Sequence, residues 1–164
     1  MVETRSGWWT GKRGEWYVVV QVLLMALVFF GPRTMPSFSP WPKPSAALWS
    51  LAGGTLLVAG GAFLLAAVFR LRRHLTPLPY PTGGATLIQT GPYALVRHPM
   101  YAGGLVLALG WALAVRGWLT LLYIAVFLVF VCVKSRREER WLLERFPGYA
   151  DYQRRVRRLI PFVY

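Results

Sequence analysis

The run AALWSLAGGTLLVAGGAFLLAAVF, residues 46–69, contains 24 residues and no charged side chain. As a helix it is long enough to cross a hydrocarbon core of about 30 Å at ~1.5 Å per residue. Three shorter apolar blocks, of 15 to 17 residues each, cover residues 16–30, 100–115 and 117–133. They depend on flanking aromatic and basic side chains to complete a crossing. The hydrophobic pattern therefore predicts about four transmembrane helices.

The composition favours a membrane protein over a soluble one. The chain has 164 residues, of which 55% are hydrophobic, and its mean hydropathy is +0.42. Four buried helices in a soluble domain are the alternative, but a core this small does not need apolar blocks with so few charges between them. We predict a single all-α membrane domain over residues 1–164. Its last two crossings form a tight antiparallel hairpin across Arg116 and Gly117, and a cytoplasmic helical tail follows in residues 134–164.

Small residues indicate where the predicted helices can approach each other closely. The second block contains Gly-Gly pairs at residues 53–54 and 60–61. In the third block, Gly104, Ala108 and Ala112 recur every four residues and would form one smooth helix face. We expect these positions to lie in helix–helix contacts.

The basic residues are distributed according to the predicted topology. The net charge of +13 would suggest nucleic acid if it formed a patch on a soluble domain. With four crossings, however, 16 of the 19 Lys and Arg residues lie on the side of the two termini, against three on the other side. This split follows the positive-inside rule. We therefore expect a multi-pass protein of the plasma or inner membrane with both termini cytoplasmic, and no nucleic-acid partner.

Several common classes of site have no support in the sequence. The single cysteine, Cys132, has no disulfide partner and lies in the fourth apolar block, which favours a packing role. No metal-ligand spacing and no Gly-x-Gly-x-x-Gly motif occurs, so neither a metal site nor Rossmann-type cofactor binding is predicted. The basic N-terminus and first apolar block resemble a signal peptide, but residues 31–36 lack a small-x-small cleavage site. We interpret that block as a retained helix.

The segment TGPYALVRHPMYAG, residues 90–103, is polar and lies directly before the third apolar helix. Pro99 suits the first turn of that helix. The free backbone N–H groups of a helix start, with Arg97 beside them, can bind an anionic group. Tyr93 and Tyr101 offer aromatic faces to a purine ring or a cation. An ordinary interfacial belt of aromatic and basic residues is the alternative.

A second polar segment, EERWLLERF at residues 138–146, follows the fourth apolar block. Alone it is typical of a solvated, salt-bridged helix face. The predicted two-residue turn, however, returns the fourth helix to the level of the third helix start. Glu138 and Glu139 should then lie near His98, where a carboxylate can accept hydrogen bonds from hydroxyl or amine groups. His98 can bind a ligand, act as a base towards an amine or thiol, or hold the loop together.

Together the two segments resemble the isoprenylcysteine carboxyl methyltransferase family and its phospholipid N-methyltransferase relatives. The matching features are Gly-Pro-Tyr, Arg-His-Pro-x-Tyr-x-Gly, Glu-Glu and a Phe…Tyr…Tyr tail that ends in Leu-Ile-Pro. The resemblance covers residues 79–161, and it implies S-adenosylmethionine as the cofactor, bound by a loop at residues 74–99. The predicted cofactor contacts, from the resemblance and the local chemistry together, are Ala85, Thr86, Leu87, Ile88, Tyr93, Arg97, His98, Pro99, Met100, Tyr101, Glu138 and Glu139.

The resemblance also implies which residues act on the substrate. The family has an arginine about one turn before the first glutamate, close to the substrate. Here Lys134 occupies that position and Arg137 precedes the glutamate, and a lysine offers a point charge instead of a bidentate fork. With His98, these two residues are the predicted catalytic groups.

The implied reaction is in-line methyl transfer to a lipid or small-molecule acceptor that enters from the membrane. The acceptor group is a carboxylate, an amine or a thiol, and only the last two require a base. An NADPH-dependent sterol-type reductase is one alternative, because that family has similar C-terminal helices and an Arg-His-Pro-x-Tyr-like segment. A non-enzymatic scaffold or a quinone or haem binder is another. The sequence leaves the oligomeric state open.

Overall fold

The computed structural model describes residues 14–37, 41, 46–71 and 87–163. These residues form six helices: α1 Glu15–Phe30, α2 Ala46–Leu71, α3 Pro92–Leu95, α4 Pro99–Val115, α5 Trp118–Arg145 and α6 Tyr149–Arg155. Within the described ranges, the extended backbone pairs as one isolated parallel bridge, between Val96 and Arg157. The predicted all-α class is confirmed.

Two helices are long and apolar enough to cross a bilayer, α2 with 26 residues and α5 with 28. The apolar helices α1 and α4 are shorter, with 16 and 17 residues. The apolar part of α5 ends at Val133, and its charged continuation starts at Lys134. We take residues 118–133 as the membrane-spanning part of α5 and place the later residues outside it. A membrane protein is therefore supported, whereas the predicted four crossings and their orientation stay predictions.

Helices α2 and α4 pack with their backbones in direct contact. A Cβ atom added to Gly60 would lie 2.5 Å from the backbone nitrogen of Leu107, and one added to Gly103 would lie 2.8 Å from that of Leu64. Gly53 and Gly110 make the matching close approach one heptad away. Later residues of α2 meet earlier residues of α4, so the two helices run antiparallel. Only glycine leaves room for backbones at this distance.

The predicted smooth face of α4 differs from the observed one in its glycine. Ala108 and Ala112 are buried, as expected. A Cβ on Gly104, however, would meet no atom within 4 Å, and Gly103 and Gly110 line the contact instead. These two glycines are seven residues apart, like the buried pair of α2. Seven residues correspond to two helix turns, so this spacing keeps both glycines on the facing side.

Replacing Gly60 by alanine should destabilise the pairing of α2 with α4. The added methyl group meets backbone atoms that cannot move aside, and overpacking of this kind costs about 1–3 kcal/mol. Gly61→Ala is the matched control, because its Cβ would have its nearest contact at 3.6 Å, with a flexible leucine side chain. Thermal unfolding in detergent should show a lower Tm for Gly60→Ala than for Gly61→Ala. Equal Tm values would contradict the close packing.

Helices α4 and α5 are joined by two residues, as the sequence predicted. Arg116 adopts a left-handed conformation and its N–H caps the end of α4. Helix α5 then runs without interruption through its charged continuation to Arg145. The predicted helical tail, residues 134–164, is helical only to Arg155, where α6 ends. The difference has a physical cause, because residues 156–158 are extended and pair with the polar segment before α4.

Candidate functional site

Two arginines from different helices hold adjacent residues of the segment before α3. The Nε atom of Arg70, at the end of α2, donates to Thr90 Oγ1 at 2.9 Å. The Nη2 atom of Arg155 in α6 donates to Gln89 Oε1 at 3.0 Å. Gly91 follows with φ 65° and ψ −134°, a conformation that glycine adopts readily, and leads into α3. These contacts fix the direction in which the segment enters the site.

Tyr93 in α3 anchors this segment to the tail. Its ring is buried, and its backbone carbonyl accepts a hydrogen bond of 2.5 Å from the hydroxyl of Tyr152 in α6. Burial, with a smaller effect of the nearby Glu138 carboxylate, raises the pKa of Tyr93 to about 12. Tyr93 therefore keeps its proton at neutral pH and can act as a donor.

The extended residues 96–98 pair with the extended end of the tail. The backbone N–H of Arg97 donates to the carbonyl of Arg157 at 2.8 Å, and that of His98 donates to the carbonyl of Arg158 at 3.0 Å. These two hydrogen bonds hold the segment immediately before α4 against the residues that follow α6. The tail is thus part of the site and not a free extension.

Glu139 is the centre of a buried polar cluster and is only 2% exposed. One carboxylate oxygen accepts from Arg97 Nε at 2.7 Å and faces His98 Nε2 at 3.2 Å. The other accepts from Arg158 Nη2 at 2.7 Å and from Gln153 Nε2 at 3.2 Å. The carboxylate of Glu139 in α5 thereby connects this helix to α6, to Arg158 after α6 and to the segment before α4.

The surroundings of Glu139 favour its charged form. Burial alone would raise the pKa of this carboxyl, but hydrogen bonds from His98, Arg158 and Arg97 outweigh burial and hold the pKa well below its usual range. The Arg97 guanidinium also donates to the backbone carbonyls of Gln153 and Val156. Both charged groups are thus fully engaged within the protein.

The neighbouring Glu138 lies in a different environment. The hydroxyl of Tyr101, in the first turn of α4, donates to Glu138 Oε1 at 2.6 Å. The other carboxylate oxygen is 3.5 Å from His98 Nδ1. The Lys134 ammonium lies 3.8 Å from Oε1, one helical turn before it on α5. With 12% of its side chain exposed, against 3% for Glu139, Glu138 is the more accessible of the two carboxylates.

His98 joins the two carboxylates. Its ring nitrogens face Glu138 and Glu139, one each, and its imidazole stacks on the ring of Tyr101 with 5.6 Å between centroids and 12° between planes. The residue is 8% exposed and serves as the N-cap position of α4. The contacts at both nitrogens fix the orientation of the imidazole.

The two predicted basic catalytic residues occupy different places. Lys134 is 3% exposed, and its ammonium lies 5.1 Å from the ring centre of Tyr101. Arg137 is exposed, and its guanidinium lies over the rings of Tyr17 and Trp141, at 5.8 and 5.1 Å from their centres. Lys134 therefore belongs to the Glu138 cluster, which consists of Glu138, Tyr101, His98 and Lys134. Arg137, in contrast, lies on the face of α5 next to α1.

The structure brings together most of the residues predicted from the sequence. Tyr93, Arg97, His98, Tyr101, Glu138 and Glu139 all lie where the start of α4 meets α5. Pro99 and Met100 form the first turn of α4. Leu87 and Ile88 are half-buried and directly precede Gln89 and Thr90, the residues that the two arginines hold. Ala85 and Thr86 lie outside the described residues.

Sequence reasoning missed several groups that build the site. Gln21 of α1 contacts Lys134, and the tail contributes Gln153 and Arg158. Gln21 could have been found in the sequence, because it is a single amide side chain within the apolar block of residues 16–30. Within the described ranges, no three His, Cys, Asp or Glu side chains come together as a possible metal site.

The chain is similar in sequence to a known family and to several known proteins. Apart from Gln21 and residues 149–158 of the tail, the site falls within a match to the phospholipid methyltransferase family, which covers residues 49–148. Over 79 residues the chain is 37% identical to the protein-S-isoprenylcysteine O-methyltransferase of Saccharomyces cerevisiae, which is 47% of this chain and 33% of that protein.

Two other relatives have different names. The cobalt-zinc-cadmium resistance protein CzcN of Cupriavidus metallidurans is 28% identical over 153 residues, 90% of this chain and 62% of that protein. The delta(14)-sterol reductase TM7SF2 of Mus musculus is 33% identical over 94 residues, 55% of this chain and 22% of that protein. The chain thus spans less than two thirds of the length of each of these three relatives. Because the family match covers more than half of the chain, the protein belongs to the phospholipid methyltransferase family.

Proposed function

We propose that the protein is a membrane-embedded methyltransferase that uses S-adenosylmethionine and transfers the methyl group to a lipophilic or small acceptor. One observation supports this most strongly. In a member of the phospholipid methyltransferase family, the accessible carboxylate of Glu138 meets His98 and Tyr101 at the start of α4, across 37 to 40 residues of chain.

The chemistry of these residues fits the cofactor. S-adenosylmethionine carries ribose hydroxyls and an ammonium group, which a carboxylate such as Glu138 can bind. Its sulfonium is a cation, and aromatic faces attract cations. The ring of Tyr101 already attracts one cation, the Lys134 ammonium, which lies 5.1 Å from its centre. Tyr93 adds a second buried aromatic ring beside Glu138.

The fully engaged pair Arg97 and Glu139 has a different role in this proposal. Their hydrogen-bonding groups are used within the protein, so we assign them to positioning His98 and the segment before α4, and not to the cofactor. The main candidates among the predicted cofactor contacts are therefore Glu138, His98, Tyr93 and Tyr101. Leu87, in the segment before α3, is a further candidate.

When bound, the cofactor supplies a methyl group already activated by the positive sulfur. The protein then has to orient the acceptor and exclude water. Glu139 at His98 Nε2 favours a proton on that nitrogen, which leaves Nδ1 able to take a proton from an amine or thiol. The adjacent Glu138 carboxylate would stabilise the resulting imidazolium. Lys134 is placed to attract an anionic acceptor, and a carboxylate acceptor needs no base.

The proposal extends to the membrane. The acceptor enters laterally between helices, and the cofactor enters from the cytoplasmic side, where we place both termini. The 16 to 3 distribution of basic residues supports this orientation. Arg137, which lies over Tyr17 and Trp141, is more consistent with a contact to the membrane surface than with catalysis.

Calorimetric titration with S-adenosylhomocysteine and, in parallel, NADPH tests the proposed function. The purified protein in detergent should bind S-adenosylhomocysteine with a saturable, one-site isotherm and should not bind NADPH. Binding of neither compound, repeated in lipid nanodiscs, would contradict the proposal.

An NADPH-dependent reductase is the second candidate, because the chain resembles part of the mouse delta(14)-sterol reductase. The same titration separates the two functions. Saturable binding of NADPH, without binding of S-adenosylhomocysteine, would favour the reductase over the methyltransferase. The similarity covers 22% of that enzyme, which makes the methyltransferase the stronger proposal.

Replacing His98 by alanine should weaken S-adenosylhomocysteine binding by roughly tenfold, the scale of one lost hydrogen bond to a charged group. The substitution removes the partner that orients Glu138 and stacks on Tyr101. His98→Asn is a useful companion, because its amide can still donate towards one carboxylate. Calorimetry measures the affinity, and the parent affinity in His98→Ala would contradict the placement of His98 in the site.

A further inference from the structure

Gln21 is a polar residue inside an otherwise apolar part of α1. The helix reads EWYVVVQVLLMALVFF, and from residue 22 to its end every side chain is apolar. An amide within a membrane helix is costly unless it finds a hydrogen-bonding partner, and such residues commonly contact another helix or a site. Gln21 therefore calls for an explanation in terms of its partner.

The partner is the ammonium group of Lys134 in α5. Lys134 Nζ donates to Gln21 Oε1 at 2.5 Å, across 113 residues of sequence. A lysine can only donate, so the amide oxygen must face it and the amide N–H groups point elsewhere. This contact joins α1 to the Glu138 cluster.

The Lys134 ammonium lies closer to Gln21 than to Glu138. Lys134 and Glu138 are one turn apart on α5, a spacing that favours a direct ion pair. Their closest atoms form a long ion pair of 3.8 Å, while the ammonium group donates to Gln21 at 2.5 Å and Glu138 Oε1 accepts from Tyr101 at 2.6 Å. Glu138 is thereby kept out of a tight ion pair.

We propose that Gln21 is a positioning residue for the cofactor site: it holds Lys134 away from Glu138, so that the carboxylate stays available to the cofactor. The inference rests on the proposed function. It assigns to α1, which lies outside the region matched by the family, an indirect role in the site, through Lys134. Without Gln21, the buried ammonium would have Glu138 as its nearest acceptor and would close on it.

The test is a double-mutant cycle read by S-adenosylhomocysteine calorimetry. Gln21→Leu should weaken binding by about tenfold, the scale of one hydrogen bond to a charged group. Lys134→Met alone gives the reference affinity of a site that lacks the ammonium group. The double variant Gln21→Leu/Lys134→Met should regain the affinity of Lys134→Met, because no ammonium remains to occupy Glu138.

Rescue by the second substitution separates positioning from a merely structural role. Thr55→Val is the control for loss of a polar group in a membrane helix, since Thr55 bonds its own helix, to Leu51 O at 2.9 Å. It should bind like the parent. Parent affinity in Gln21→Leu would overturn the inference, as would a loss that the double variant does not regain. If the parent itself binds no S-adenosylhomocysteine, the proposed function fails, and the inference falls with it.

Discussion

Glu139→Ala should lower the free energy of unfolding by about 3–5 kcal/mol, the cost of removing one partner from a buried ion pair. Arg97 and Arg158 both donate to this carboxylate, at 2.7 Å each, and Arg97 would keep its charge in a buried place. We also expect the tail to detach, because Glu139 connects it to α5. Thermal unfolding in detergent should show a markedly lower Tm, and trypsin should cleave faster after Arg155 and Arg157.

Glu144→Ala is the matched control, because Glu144 is an exposed glutamate of the same helix. It should change neither the Tm nor the rate of tail cleavage, as is usual for surface substitutions. Glu139→Gln covers the case in which the alanine variant does not fold, since it keeps the shape and removes only the charge. Parent-like Tm and cleavage in both Glu139 variants would contradict the central place of this carboxylate.

Glu138→Gln, unlike Glu139→Ala, should weaken cofactor binding and leave the stability of the protein unchanged. We expect the affinity for S-adenosylhomocysteine to fall by about 10- to 100-fold, as for loss of a charge-assisted hydrogen bond. The fold should persist, because an amide oxygen can still accept from Tyr101 and Lys134 keeps its bond to Gln21. Calorimetry measures the affinity, and a melting curve measures the stability.

Glu144→Gln is the control for this substitution, since it removes the same charge from an exposed position on the same helix. It should bind S-adenosylhomocysteine like the parent. Two outcomes would count against the assignment of Glu138: unchanged affinity in Glu138→Gln, or a loss of affinity that simply follows a loss of folded protein.

The class of the fold and the location of the site were predictable from local patterns. Apolar blocks and their lengths define the main helices, and the two-residue connection at Arg116 returns α5 towards the start of α4. That topology alone brings Glu138 near His98 and Tyr101. Where the sequence prediction was wrong, as for Gly104 in place of Gly103, adjacent glycines look alike until the partner helix is known.

The division of work between the two glutamates was not predictable. Glu138 and Glu139 are identical in chemistry and adjacent in sequence, so only the environment distinguishes them. That environment comes largely from the tail, where Arg158 and Gln153 meet Glu139. The pairing of residues 96–98 with residues 156–158 leaves no local pattern, because each segment is too short to show the alternation of a strand. The contact of Gln21 with Lys134 likewise joins residues 113 positions apart.

The most direct test of the account is photochemical crosslinking of S-adenosylmethionine that carries a tritiated methyl group, followed by tryptic peptide mapping. Trypsin releases residues 74–97 and 98–116 as two peptides, which hold Tyr93 and Tyr101, respectively. We predict that the label lies in one or both of these peptides and disappears with excess unlabelled S-adenosylhomocysteine. Competable label confined to peptides from α1 or α2, or no competable label at all, would contradict a cofactor site at the start of α4.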